Sequence, residues 1–354
     1  MDRLVLTIFH TCLVMVLHCC CLQASPCPPV PTPNNITEFS CSSLSLSDFP
    51  SGFPKETRII SVEFTNISSI DVDALQGLPN LQELHLSNNK LRTLPSGLFR
   101  SLPELHTLDL TGNFLEDLPV EIFEKATGLR QLALTGNRLS TLRPSWFQPL
   151  RHLEFLDLSN NQLEDVPQSC FNKLENLTSL QLSQNSLRTL SPQMLDGILH
   201  LEKLDLEGNQ LQSIENNTFQ AVPHVKFIFL QNNSLTNIPA GLFKPLDHLE
   251  LLDVSSNQLT TWDPQFSTKV TTLSLDLSRN PWACDCHILS LLNELKHPSI
   301  SLYSKQETLC ATPKSFQGQL LTSVDVTKFS SCSILKLLPQ SEKGSHPPVP
   351  GGPN

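Results

Sequence analysis

Residues 81–104 read LQELHLSNNKLRTLPSGLFRSLPE, and residues 105–128 read LHTLDLTGNFLEDLPVEIFEKATG. The two lines align without a gap: Leu81, Leu84, Leu86 and Asn89 recur 24 residues later as Leu105, Leu108, Leu110 and Asn113. The asparagine then returns at Asn137, Asn161, Asn185, Asn209, Asn233 and Asn257, always at a step of 24, and LxxLxLxx precedes it each time apart from conservative exchanges of Leu for Ile or Val. Ten places after each of the first seven asparagines but one stands a phenylalanine (Phe99, Phe123, Phe147, Phe171, Phe219, Phe243), with Leu195 replacing it once. A fixed period of this length marks a chain built from stacked identical units.

The pattern assigns each position a place. LxL is a short strand whose leucines point inward while the residues between them point outward, and strands of successive units pair in parallel about 4.8 Å apart. The asparagine amide satisfies backbone groups that the bend after the strand would otherwise bury unpaired. Phenylalanine closes the far side of each coil. About seven apolar side chains per unit cannot offset the ordering of a whole unit, so a lone repeat fails and stacking is obligatory. The expected fold is an α/β solenoid with an inner parallel sheet and irregular segments outside.

Stack ends need covers. Cys27 and Cys41 bracket a short segment ahead of RIISVEFTNI, which reads as a lead-in strand. At the rear, LDLSRNPWACDC puts Asn280 in a slightly shortened last repeat, Trp282 over the final coil, and HILSLLNELKH in a helix by the spacing of Ile288, Leu291, Leu292 and Leu295. Cys284, Cys286, Cys310 and Cys332 form a two-bridge set with three possible connectivities, of which Cys284–Cys310 with Cys286–Cys332 is favoured. The expected layout is a signal peptide at 1–25, an N-terminal cap at 26–58, the solenoid at 59–280, a cysteine cap at 281–332 and a disordered tail at 333–354.

The first residues support secretion: Arg3 gives a basic start, Leu4 to Leu17 an apolar stretch, and Ala24 and Ser25 a small-residue cleavage region. No later run approaches the roughly 20 apolar residues of a membrane span. Of eleven cysteines, four leave with this leader, and in an oxidising compartment most of the rest should pair. The net charge of −10 argues against nucleic acid and favours basic partners.

The Cys27–Cys41 start, VEFTNI, LQELHLSNN, the uniform repeats and the NPWACDC cap together resemble the secreted leucine-rich alpha-2-glycoprotein family, which includes the beta-type serum phospholipase A2 inhibitors of snakes. The resemblance spans Cys27 to Cys332. It implies a leucine-rich-repeat horseshoe, a disulfide-capped plasma glycoprotein, and partners among cytochrome c, transforming growth factor beta signalling components (with a receptor complex as a further partner) and phospholipase A2.

On the outward face, one column reads His85, Asp109, Ala133, Asp157, Gln181, Asp205, Phe229, Asp253 and Asp276; the column two residues earlier includes Phe155, Lys203, Phe227 and Leu251. The acidic column is either a solvated face or a surface that recruits a basic protein. Phe227 and Phe229, with Leu251 one strand over, rimmed by Asp205, Glu207 and Asp253, have the composition of an interface anchor; Phe155 stands alone three strands away, and Asp157 belongs to the acidic column as a further candidate contact. Sequons begin at Asn35, Asn66, Asn176, Asn216 and Asn232, the last beside this patch.

The remaining residues of chemical interest have plainer explanations. Cys170 shares a column with apolar residues and reads as a buried thiol, with an intermolecular bridge as the alternative. His152, His200, His224 and His248 occupy one column before the strand, a surface row without the convergence a metal needs; it reads as ordinary loop surface, with a pH-responsive patch as the alternative, and no metal and no cofactor are expected. GxSxG, HExxH and GxxxxGK[ST] are all missing, so the chain reads as a binding protein and no enzyme. The second class considered is an extracellular-matrix organiser resembling the small leucine-rich proteoglycans, disfavoured because the start carries two cysteines where those carry four.

Overall fold

The computed structural model describes residues 36–329. The expected leader, Cys27, Asn35, Cys332 and the tail at 333–354 lie outside them.

Twelve strands form one parallel sheet in chain order, from Glu38–Cys41 and Ile59–Val62 through the eight repeat strands to Leu273–Asp276 and Ile300–Leu302. Each repeat strand is three residues long with its middle residue buried, as in Glu83–His85, Phe155–Asp157 and Phe227–Phe229. The registers step without slip: Leu84 faces Leu108, Leu108 faces Leu132, and Ile228 lies between Leu204 and Leu252. This is the α/β solenoid of the sequence reading, with its parallel sheet on the concave side. Helix is sparse on the convex side, where single turns such as Pro144–Phe147 suffice.

The core is one continuous apolar column. Repeat 105–128 buries Leu105, Leu108, Leu110, Leu115, Leu118, Ile122, Phe123 and Ala126, eight side chains where the sequence suggested about seven. Phenylalanines of neighbouring coils touch, with ring centroids 6.0 Å apart for Phe99–Phe123, 5.3 Å for Phe147–Phe171 and 5.2 Å for Phe219–Phe243. Leu195 interrupts the row between Phe171 and Phe219 and is itself fully buried.

The asparagine ladder binds coil to coil. Nδ2 of Asn113 donates to Leu86 O of the preceding coil at 2.9 Å and to Leu110 O of its own at 3.0 Å, and its Oδ1 accepts from Leu91 N–H at 3.1 Å. The same three bonds recur up to Asn257 and Asn280. Just before each ladder asparagine the backbone turns through positive φ, at Asn88, Gly112, Gly136, Asn160, Gln184, Gly208, Asn232, Ser256 and Arg279. Glycine at position 112 makes this turn at φ +67°, and a Cβ there would lie 2.6 Å from Asn88 Oδ1, so a larger residue requires the Asn88 side chain to swing aside.

Both ends carry more sheet than the sequence revealed. Glu38–Cys41 adds a strand ahead of the lead-in strand, and Ile300–Leu302 continues the sheet beyond the last repeat. Trp282 is fully buried over the final coil and its Nε1 donates to Leu277 O at 2.9 Å. The rear helix is there at Leu289–Glu294, following a 3-10 turn at Cys286–Ile288. Cys284 and Cys310 are bonded, as favoured from the sequence. Cys41 and Cys286 are also disulfide-bonded, to partners outside the described residues. Cys170 is free and 2% exposed, and burial pushes its thiol up to about 12, so it packs as a small apolar group and offers no bridge to another chain in the folded state.

Candidate concave binding surface

The outward positions of three consecutive strands, Lys203–Asp205, Phe227–Phe229 and Leu251–Asp253, build the candidate surface. Phe227 lies between Lys203 and Leu251, and Phe229 between Asp205 and Asp253. All six are half-buried, so the aromatics form part of the wall of the sheet and do not stand free of it. Phe155 sits three strands away between Gln131 and Ser179, with Asp157 two residues on, and does not join them.

The acidic column has an intramolecular role that the sequence did not disclose. Asp109, Asp157, Asp205, Asp253 and Asp276 each accept a hydrogen bond on Oδ1 from the N–H two residues ahead, at 2.9, 2.9, 3.2, 2.9 and 2.9 Å. Such a carboxylate satisfies an amide where the strand ends. Phe229 has no acceptor to offer there, so its repeat forgoes the bond.

Phe229 sits among charged neighbours. Lys203 Nζ lies 5.3 Å from its ring centroid, within cation–π range. Burial pushes the carboxyls of Asp205 and Asp253 above the ordinary aspartate value, against the hydrogen bonds to residues 207 and 255 that favour the charged form. Glu207 accepts from Gln231 Nε2 at 2.9 Å and from Asn232 Nδ2 at 3.2 Å, so this rim acid is tied to the sequon asparagine beside it. The Lys203–Phe229 contact was legible in principle, because diagonal neighbours on adjacent strands fall within reach of long side chains.

Of the sequons, Asn176, Asn216 and Asn232 are exposed. Asn66 is half-buried and its Nδ2 donates to Leu44 O in the N-terminal cap.

A second concavity runs along the edge where the strands begin. A groove of ≈ 740 Å³ is lined by Glu154, Asn176, Thr178, His200, Glu202, His224, Lys226 and His248. An adjoining one of ≈ 460 Å³ shares Lys226 and His248 and adds Asp247, Glu250 and Lys269. Three of the four histidines in the row, His200, His224 and His248, therefore form one side of a groove, with the rings of His224 and His248 stacked at 6.0 Å, while His152 does not line it.

Parallel coils, a buried asparagine ladder and covered ends define a leucine-rich-repeat solenoid. The leucine-rich repeat family model matches residues 55–115, 103–163, 156–211, 199–259 and 223–281. Phospholipase A2 inhibitor beta of Elaphe climacophora is 65% identical over 332 residues, covering 94% of this chain and all of that protein. Phospholipase A2 inhibitor of Gloydius brevicaudus siniticus is 58% identical over the same span, with equal coverage. Among solved structures, a chain of an octameric complex of Latrophilin 3, Unc5D and FLRT2 superposes with a TM-score of 0.62 at 25% identity, covering 87% of this chain and 94% of that one. The chain belongs to the leucine-rich repeat family, in the branch that contains these phospholipase A2 inhibitors.

Proposed function

We propose that the chain is a secreted, glycosylated binding protein without catalytic activity that captures a protein ligand non-covalently on its concave sheet. Phe227 and Phe229 are the anchor, Leu251 extends it, and Lys203, Asp205, Glu207 and Asp253 are the charged surround that selects a basic partner, with Phe155 and Asp157, three strands away, as a separate contact. The observation that carries this reading is Phe229 itself, a large aromatic at a position where five of the nine coils place a backbone-capping aspartate, with two half-buried carboxylates, Asp205 and Asp253, on the strands to either side. The two phospholipase A2 inhibitors that the chain resembles favour a secreted phospholipase A2 as ligand, held without turnover. Cytochrome c and transforming growth factor beta components are the other candidates that the family resemblance supplies.

The test is a binding measurement on immobilised protein at low and physiological salt. A basic and an acidic phospholipase A2, cytochrome c and transforming growth factor beta are passed over the native chain and the Phe227→Ser/Phe229→Ser variant. Selective binding of a basic ligand, weakened by salt and by at least about tenfold in the variant, is expected, since losing a central aromatic anchor costs about 2 kcal/mol or more. Equal binding by the two proteins places the site elsewhere.

A further inference from the structure

The edge groove lies on the same repeats as the aromatic anchor. His200, Lys203 and Asp205 share one coil; His224, Phe227 and Phe229 the next; His248, Leu251 and Asp253 the third. A ligand covering the anchor meets the histidines about three residues upstream on each strand, roughly 10 Å away along an extended chain.

The groove's charges oppose one another. Its two connected parts are lined by four carboxylates (Glu154, Glu202, Asp247, Glu250), two ammonium groups (Lys226, Lys269) and three imidazoles. Lys226 pairs with Glu202 at 3.0 Å, Lys269 with Asp247 at 2.6 Å, and Arg130 reaches Glu154 from outside the lining at 2.5 Å. With neutral imidazoles the lining carries an excess of two negative charges; with all three protonated it carries an excess of one positive charge. Imidazole is the side chain whose ordinary titration spans pH 5 to 8. The stacked pair His224–His248 brings two such charges to 6.0 Å of each other on an exposed surface.

We propose that this edge groove is a second contact surface for a lysine- or arginine-rich segment of the captured ligand, and that protonation of His200, His224 and His248 reverses its sign and expels that segment at mildly acid pH. The inference rests on the proposed capture of a basic ligand but not on the two phenylalanines. Asn176 lines only the end of the groove near Glu154, so a glycan there leaves the stretch from His200 to Lys269 open.

The probe is octalysine with an acetylated N-terminus, whose side-chain ammonium groups do not titrate between pH 7.4 and 5.5, so any change belongs to the protein. Binding to the glycosylated native chain is measured at both pH values and constant low ionic strength, beside His200→Gln/His224→Gln/His248→Gln and Phe227→Ser/Phe229→Ser. The native affinity is expected to fall by about fivefold or more on acidification, and the triple histidine variant by less than about twofold, as befits short-range charge contacts at low salt. A native profile that is flat, a triple variant that loses as much as the native chain, or no octalysine binding at pH 7.4 each overturns the inference. The phenylalanine variant separates it from the anchor. Octalysine has no apolar group for the anchor to hold, so an unchanged pH profile there upholds the groove whatever that variant does to protein ligands.

Discussion

Asp253 does two opposed things. Its Oδ1 caps the Ser255 N–H at 2.9 Å, which holds the strand end, and its half-buried charge beside Phe229 is costly to maintain. Burial raises its folded pKa above the ordinary 3.8, so the folded chain takes up a proton more readily than the unfolded one. Stability contributed by this group therefore falls as pH rises from about 3.8 through the raised value, and at neutral pH the charge is a liability. Asp253→Asn keeps the acceptor and removes the charge. Its melting temperature at pH 7 should equal or exceed that of the native chain, the advantage shrinking toward pH 4, while binding of a basic ligand weakens. Asp253→Ala forfeits the bond and should cost about 0.5–1.5 kcal/mol by thermal unfolding. If Asn and Ala destabilise alike at pH 7, the carboxylate's charge, and not its acceptor, is what the fold uses. None of this was visible in LDVSS, where a solvated acid and a capping acid are written with the same letter. The direction of the side chain decides between them.

At the level of the single coil, what could be read in the sequence was whatever the period repeats. Leu156, Leu158, Asn161 and Phe171 have copies 24 residues away on both sides or nearly so, and the structure buries all four. EFSC at Glu38–Cys41 has no copy, and its strand forms only because Ile59–Val62 presents an unpaired edge to it. The histidine row was seen, but the groove was not, since a concavity depends on how neighbouring coils set their rims. The ladder gives this scale its clearest test. Asn161 Nδ2 donates to Leu134 O and Leu158 O, both at 3.0 Å, and Oδ1 accepts from Leu139 N–H at 3.0 Å. Asn161→Ala strands buried partners in two coils and should cost about 2–4 kcal/mol, at roughly 1 kcal/mol or more per bond. Urea unfolding would register it as a lower midpoint, and a loss below about 0.5 kcal/mol would mean that the ladder orders the coils without stabilising them.

Across the whole molecule, stability is a sum over coils and their junctions, so the ends decide where opening begins. The rear cap is closed by Cys284–Cys310, a bridge spanning 26 residues, and by Trp282 beneath it. Cys284→Ser/Cys310→Ser should lose about 2–4 kcal/mol. Hydrogen exchange should show the loss first in the cap and the strand Leu273–Asp276, with the strands near Leu156 still protected. Uniform loss along the chain would instead make the solenoid one cooperative unit. The Cys284–Cys310 bridge, favoured among three connectivities, and the solenoid were open to sequence reasoning because cysteines and period are sparse, strong signals. The continuation of the sheet into Ile300–Leu302 was not, because ISL carries no alternation that distinguishes it from a loop.

Because every strand of the inner sheet runs the same way, the molecule has two unlike margins. Along one, asparagine amides and left-handed turns are committed to backbone, and any exchange there disturbs two coils at once. Along the other stand His200, Glu202, His224, Lys226 and His248, whose side chains the coil geometry does not require. Mutation can therefore redraw that second margin one residue at a time while the scaffold stays whole. A lineage carrying this chain is free to follow a changing ligand without risking the fold that presents it.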